Sequence, residues 1–369
     1  MKRSSKEIYM IRKYIKVVTN CFGKISSIII IGMLSVVLFS MIFVGIGNFY
    51  INSKEVNVNK SYKFVDNARR MFNGKYDGKG PKIKIYIDSE KKIKEMYLED
   101  YVTGVVAGEM PANFHIEALK AQAIAARTYA MAHIKEFGGS SCKNAEGGDL
   151  CDTVHCQVYL SKEKRLNGWP SKDREELWEK LVQAVKRTSG EVLTYDNKLA
   201  MCPYYFAISS GNTEDAKEVF SNSVPYLKSV SSKGEEIAGK YKSEKKVDYN
   251  SFINTINKAY PKAKLSLSTV KNTVKIVERT KGGSVNKIKL GGIVIKGTEF
   301  RKVFNLNSAN FSLIFKEKNV EIQCKGYGHG VGMSQWGANV MAKNGIKYKE
   351  ILKHYYSNVK IERMDNVSY

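Results

Sequence analysis

Between Ile25 and Ser53 the chain carries no charged residue. The centre of this run, IIIIGMLSVVLFSMIFVGIG, has about the ~20 apolar residues that a helix needs to cross a bilayer. Seven Lys/Arg and one Glu precede it in residues 1–24, and such a basic excess keeps a segment on the cytoplasmic side. The pattern predicts a cytoplasmic basic tail (1–24), a transmembrane helix (25–48) and an extracytoplasmic remainder. A cleaved signal peptide is the alternative, but its apolar region would be unusually long and no A-x-A site follows. Residues 49–81 are polar and Gly/Lys-rich, which suits a stalk or linker, and 82–369 are left as a folded ectodomain.

Within that ectodomain the periodicity changes repeatedly. KIKIYI alternates as a strand does, and a second strand-like run leads into a short helix at Leu98–Val105. Leu119, Ala123, Ala126, Ala130 and Ile134 recur at steps of three or four and predict the buried stripe of a helix, with Asn113 as its N-cap. The segment from Gly138 to Cys156 reads as loop. SKDREELWEKLVQAVKRTSG reads as an amphipathic helix ended by Gly190, and a hairpin should turn at Asp196-Asn197. Further helices are expected at Tyr249–Ala259, from Thr298, near Ser334–Lys343 and in KYKEILKHYYS, with Lys/Thr/Val-rich strands between them. Helices and strands alternate without a regular βαβ period, and no repeat occurs, so the fold class is α+β.

Charge narrows the partners only slightly. The 369 residues carry a formal +24, and 53 of the 60 basic and 35 of the 36 acidic residues lie beyond residue 24, a net +18 outside the membrane. Nucleic acid is the usual partner of such a charge. An extracytoplasmic domain meets anionic cell wall and lipid head groups instead, and a solvated lysine-rich surface explains the charge equally well. No nucleic-acid partner is therefore expected.

One carboxylate stands out. In VVAGEMPANFHIEALKAQAIAARTYA, Glu109 follows an apolar turn and precedes the alanine-rich helix, on which Lys120 and Arg127 lie seven residues apart and hence on one face. Val105, Val106, Ala107, Met110 and Pro111 around the carboxyl would raise its pKa, whereas Lys120 and Arg127 would lower it if they came close. From these residues alone Glu109 is either a proton donor or half of a structural ion pair.

That stretch, together with DTVHCQVY and GYGHGVGMSQWGA, resembles the stage II sporulation protein D family of peptidoglycan lytic transglycosylases. YFAISSGNTEDAKEVF, VPYLKSV and KGTEFRKVFNLNSANFSL carry the likeness further, so that it covers nearly all of residues 82–362. The resemblance implies a membrane-anchored enzyme of engulfment in the mother-cell membrane. Such an enzyme cleaves the N-acetylmuramic acid to N-acetylglucosamine bond of denuded glycan strands and leaves a 1,6-anhydro end. It implies Glu109 as the single acid/base, since the sugar's own 6-hydroxyl replaces the second carboxylate that a hydrolase needs. Lys120 and Arg127 match basic positions of the family motif and would hold a substrate carbonyl or carboxylate, or else bind Glu117 and loop carbonyls. Tyr327, His329, Gln335 and Trp336 would line a glycan groove, or Trp336 would be core; Ser209, Ser210 and Asn212 are weaker polar candidates. By resemblance the partners are the stage II sporulation proteins P, an amidase, and M, a scaffold. The competing functions are a non-catalytic glycan-binding scaffold and a zinc amidase.

Cysteine spacing adds one site. CKNAEGGDLCDTVHC places Cys142, Cys151, His155 and Cys156 in a C-x8-C-x3-H-C array, and three thiolates with one imidazole make a closed tetrahedral set for structural Zn2+. One disulfide with a spare thiol is the alternative outside the cytoplasm, and His133 is an alternative imidazole. No metal is needed for the glycosidic chemistry. Cys21, Cys202 and Cys324 are unassigned.

Overall fold

The computed structural model describes residues 79–367. The predicted basic tail, transmembrane helix and nearly all of the stalk lie outside the described residues. Among those described, no helix is long and apolar enough to cross a membrane. The described residues mix helices and strands, an α+β fold.

The first elements obey the alternation of the sequence. In β1 (Lys82–Ile87) Ile83, Ile85 and Ile87 point into the core and Lys82 and Lys84 into solvent, and β2 (Lys92–Tyr97) pairs with it antiparallel. Helix α1 then runs from Leu98 to Glu109, one turn beyond the predicted end. Gly108 lies inside it because a Cβ there would stand 2.6 Å from the carbonyl oxygen of Val158; its role is close approach, not helix breaking. Helix α2 (Ile116–Met131) follows, capped by His115, whose Nδ1 accepts from the Glu117 amide at 3.3 Å. The cap is thus two residues later than Asn113, which lies in a turn closed by Phe114 N–H donating to Pro111 O.

The predicted stripe of α2 is buried, and so is almost every other position of the helix. Strand β3 (Leu150–Cys151) adds to β1 in parallel, with Tyr86 opposite Cys151. Helix α3 (Arg174–Lys186), β4 (Glu191–Tyr195) and α1 all pack on α2. Helix α3 stops at Lys186, before the predicted Gly190, which adopts φ +75° where the chain turns into β4. Asp196 and Asn197, at φ 52° and 58°, turn β4 into β5 (Lys198–Leu199) as predicted. Two positive φ values in a two-residue turn match the twist of the paired strands.

After β6 (Tyr205–Phe206) the chain leaves this core to build a second one. Strand β7 (Lys242–Asp248), helix α4 (Tyr249–Ala259) and the antiparallel sheet β8 (Val274–Arg279), β9 (Val285–Leu290) and β10 (Ile293–Lys296) belong to it. Helix α5 (Gly297–Phe304) and strands β11 (Phe311–Phe315) and β12 (Asn319–Lys325) complete it. Phe252, Phe300, Phe304 and Phe311 stack at its centre. Among the described residues two large apolar clusters thus form, besides two small ones.

The glycine-rich segment brings the chain back. Gly332 adopts φ +81°, and a Cβ there would collide with the Tyr204 carbonyl, so β13 (Met333–Ser334) can lie parallel to β6. Helices α6 (Gln335–Lys343) and α7 (Tyr348–Tyr355) then cover the remaining sides of α2, and β14 (Lys360–Arg363) closes on β4.

Under this junction lies a buried acid. Glu235, 1 % exposed, accepts from the Ser232 hydroxyl at 2.6 Å, the Ser334 hydroxyl at 2.6 Å and the Ser209 amide at 2.8 Å. Burial outweighs these bonds and pushes its pKa up to about 7. The folded form thus holds the proton more tightly than the unfolded chain. Its stability is highest below the unfolded value and declines as pH rises through 7. Relative to Glu235→Gln, the wild type should lose up to roughly 3 kcal/mol between pH 5 and 8. Paired thermal melts check this, and a pH-independent difference would contradict it.

Candidate functional site

Glu109 is the last residue of α1, and the geometry of that helix end sets its chemistry. The residue is partly buried. Its Oε1 accepts the Val158 amide at 2.8 Å and its Oε2 accepts the Gln335 side-chain amide at 3.1 Å. Burial raises the pKa, and the two hydrogen bonds oppose this only in part. A helix C-terminus carries partial negative charge, and the last turn of α1 has no basic residue. Both features favour the protonated acid.

The carboxyl opens into a cavity of about 590 Å3, a size typical of small-ligand sites. Tyr129, Tyr204, Tyr205, Phe206, Phe220, Tyr327 and His329 supply aromatic walls. Among the described lining residues Glu109 is the only carboxylate and Arg301 the only lysine or arginine. Strand β6 and the return through β13 account for much of this: their parallel pairing sets Tyr205 and Phe206 beside Gln335.

His329 is packed among the rings of Tyr204, Phe206 and Phe220, at centroid distances of 6.2, 5.7 and 5.4 Å. Burial, reinforced by the charge of Arg301, brings its pKa down to about 4. It is a neutral imidazole near pH 7, and its Nδ1 accepts the Val331 amide at 3.1 Å. Trp336 is edge-on to Phe114 at 5.0 Å and packs against the main core, outside the cavity lining.

Three predicted substrate contacts lie elsewhere. Arg127 is fully buried: Nε and Nη2 donate to Oε1 and Oε2 of Glu99 at 2.8 and 2.6 Å, and Nη1 donates to Glu191 O at 2.9 Å. The groove-facing expectation is wrong because Arg127 lies on a face of α2 covered by α1, α3 and β4, so its charge is neutralised internally. Lys120 pairs with Glu117 at 2.7 Å and lies over the Tyr348 ring, again outside the cavity. Ser210 accepts the Asn310 amide at 2.8 Å and faces a separate cavity lined by Lys242, Arg279 and Gln323. With Lys120 and Arg127 engaged elsewhere, neither lowers the Glu109 pKa.

The cysteine array converges as its spacing predicts. The ligand atoms of Cys142, Cys151, His155 and Cys156 all lie within 4.8 Å of one another. Cys142 Sγ is 3.9 Å from Cys151 Sγ and 3.2 Å from His155 Nδ1, and Cys156 Sγ is 4.0 Å from the same nitrogen. Zn–S bonds of about 2.3 Å in a tetrahedron require sulfur separations of about 3.8 Å. The donor set and its spacing fit a metal, and no sulfur pair is bonded. His133 instead bonds the Tyr129 carbonyl at 2.8 Å and stacks on that ring. Cys202 and Cys324 are both free thiols.

The Stage II sporulation protein family model matches residues 86–195, the part that carries Glu109 and the cysteine array. Stage II sporulation protein D of Bacillus subtilis (strain 168) is 37% identical over 284 residues, covering 77% of this chain and 79% of that one. The protein of the same name from Bacillus amyloliquefaciens is 36% identical with the same coverage. The chain belongs to the stage II sporulation protein D family. A more distant relative, the amidase enhancer of Bacillus subtilis (strain 168), is 28% identical over 69% of this chain and 39% of its own length.

In this member of the sporulation protein D family the cysteine array and Glu109 are neighbours. His155 and Cys156 line the Glu109 cavity, and Val158, two residues on, donates to its carboxylate. Tyr327, His329 and Gln335 lie in the cavity as the sequence suggests, whereas Tyr129, Tyr204, Tyr205, Phe206, Phe220 and Arg301 carry no signal that assigns them to it. The run PYYF at 203–206 is an aromatic signal that the sequence shows without saying which cavity it lines. Arg301 had no local signal, since α5 reaches the site only through the packing of the second core.

Proposed function

We propose that this protein is a peptidoglycan lytic transglycosylase that acts in sporulation. The observation that carries the reading is Glu109, its pKa raised by burial, standing as the only carboxylate among the described residues that line an aromatic-walled cavity. Glycosidases that use water need two carboxylates flanking the bond. One suffices if the nucleophile belongs to the substrate. Glu109 gives its proton to the glycosidic oxygen of the leaving sugar as the C1–O bond breaks. The Val158 amide and Gln335 then stabilise the carboxylate. That carboxylate takes the proton of the muramic acid 6-hydroxyl as its oxygen bonds to C1, which closes the 1,6-anhydro ring and restores the acid. The aromatic walls suit pyranose faces.

The remaining parts of the reading follow the family. The protein is anchored by residues 25–48 with its catalytic domain outside the cytoplasm, and it works on denuded strands together with the stage II sporulation proteins P and M. The cysteine array holds one zinc ion in a structural role. Four protein ligands leave no open position of the kind catalytic zinc requires, which argues against a zinc amidase. Zinc would order the 142–156 loop, which otherwise has few apolar anchors. Strong chelators should lower thermal stability and activity together, zinc should restore both, and Cys156→Ser should reproduce the loss. Elemental analysis showing no zinc, with a cysteine disulfide by mass spectrometry, would remove the metal and leave the glycan chemistry in place.

A further inference from the structure

Arg301 is the feature of the cavity that the proton chemistry leaves unused. It sits in the middle of α5, whose Phe300 and Phe304 are held in the second core, so the helix has little freedom to move the guanidinium elsewhere. Its Nε donates to the Leu306 carbonyl at 3.1 Å. Among the described residues no carboxylate pairs with it, and Nη1 and Nη2 have no protein acceptor. Burial pulls its pKa down, and the groups that oppose this are Tyr327 and Cys324 rather than an acid. A cation fixed in a partly dry wall without a counter-ion costs stability. Such a cost is maintained where a ligand supplies the missing charge.

The ligand's chemistry narrows the choice. A guanidinium with one edge tied back presents a planar pair of donors matched to a carboxylate. An N-acetylated glycan carries one kind of anion, the lactyl carboxylate of muramic acid. In peptide-bearing strands that carboxyl is an amide and carries no charge; once the peptide is removed it is free. We infer that Arg301 binds the free lactyl carboxylate of a muramic acid residue in the Glu109 cavity and thereby selects peptide-stripped strands. The inference rests on the glycan-cleaving reading above and deepens it, because it locates substrate choice in one side chain that the proton chemistry does not use.

The test uses the full-length protein carrying Glu109→Gln, so that bound glycan is not consumed. Two tetrasaccharide probes of alternating N-acetylglucosamine and N-acetylmuramic acid are compared by calorimetry, one with free lactyl carboxylates and one with lactyl methylamides. The carboxylate probe should bind roughly 10- to 100-fold more tightly. Adding Arg301→Gln should erase that difference by weakening the carboxylate probe alone, and Arg301→Lys should restore part of it. Thermal melts serve as the folding control, and Arg301→Gln should melt no lower than its parent, because a half-buried charge without a counter-ion has been removed. Discrimination that survives Arg301→Gln, or parent protein that does not discriminate, would overturn the inference while leaving the cleavage reading intact. Failure of both probes to bind the parent would overturn both.

Discussion

Glu109→Gln abolishes glycan cleavage, with a loss of roughly 10²–10⁴-fold or more, while the fold and the affinity for glycan stay close to wild type. The amide has the shape of the acid but cannot pass a proton to a leaving oxygen. Its carbonyl oxygen can still accept the Val158 amide, which bonds Oε1 at 2.8 Å. Wild-type activity should also decline as pH rises through the raised Glu109 pKa, because only the protonated form can start the reaction. The sign follows from burial being the largest influence on that carboxyl. The check is a rate assay on denuded strands with circular dichroism of the same preparation. Near-normal rates in a folded Glu109→Gln protein would take the acid/base role away from this residue.

Arg127→Ala fails for a different reason. It removes a guanidinium bonded to both oxygens of Glu99 and leaves that carboxylate, 8 % exposed, without its counter-ion. Breaking a buried pair in this way costs about 3–5 kcal/mol, or a fall in melting temperature on the order of 10 °C. Activity should disappear with the fold, not ahead of it. Lys120→Ala also breaks a largely buried pair, but a monodentate one in which Glu117 keeps the Tyr348 amide at 3.1 Å, and should cost less. An Arg127→Ala protein with an unchanged melting temperature and no activity would return Arg127 to the groove.

The contrast between these two residues shows where sequence patterns reach and where they stop. Period-two alternation identified β1, and steps of three and four identified the inner stripe of α2, because each depends on one element facing one core. The Asp196-Asn197 turn and the cysteine array were legible because their partners are close in sequence. Arg127 was not, because the pattern of α2 cannot report that α1, α3, α6, α7 and β4 pack around the helix and cover the face that carries it. Ser210 was misplaced for the same reason, since its partner Asn310 is fixed by packing, whereas the pairing of Lys120 with Glu117, three residues away, was one of the two alternatives the sequence offered. Arg301 belongs to a core whose existence no local period announces. Glu109 lay between these cases. Its apolar flank was visible, but its two hydrogen-bond donors come from segments far along the chain.

The most direct measurement is product analysis after the purified protein digests denuded glycan. Mass spectrometry should find fragments ending in 1,6-anhydro-N-acetylmuramic acid, and none from the Glu109→Gln protein. Reducing-end muramic acid would show a water-using hydrolase, and peptides freed from intact peptidoglycan an amidase. Intact strands bound but uncut would show a scaffold, and any of these three results would contradict a transglycosylase working through one carboxylic acid.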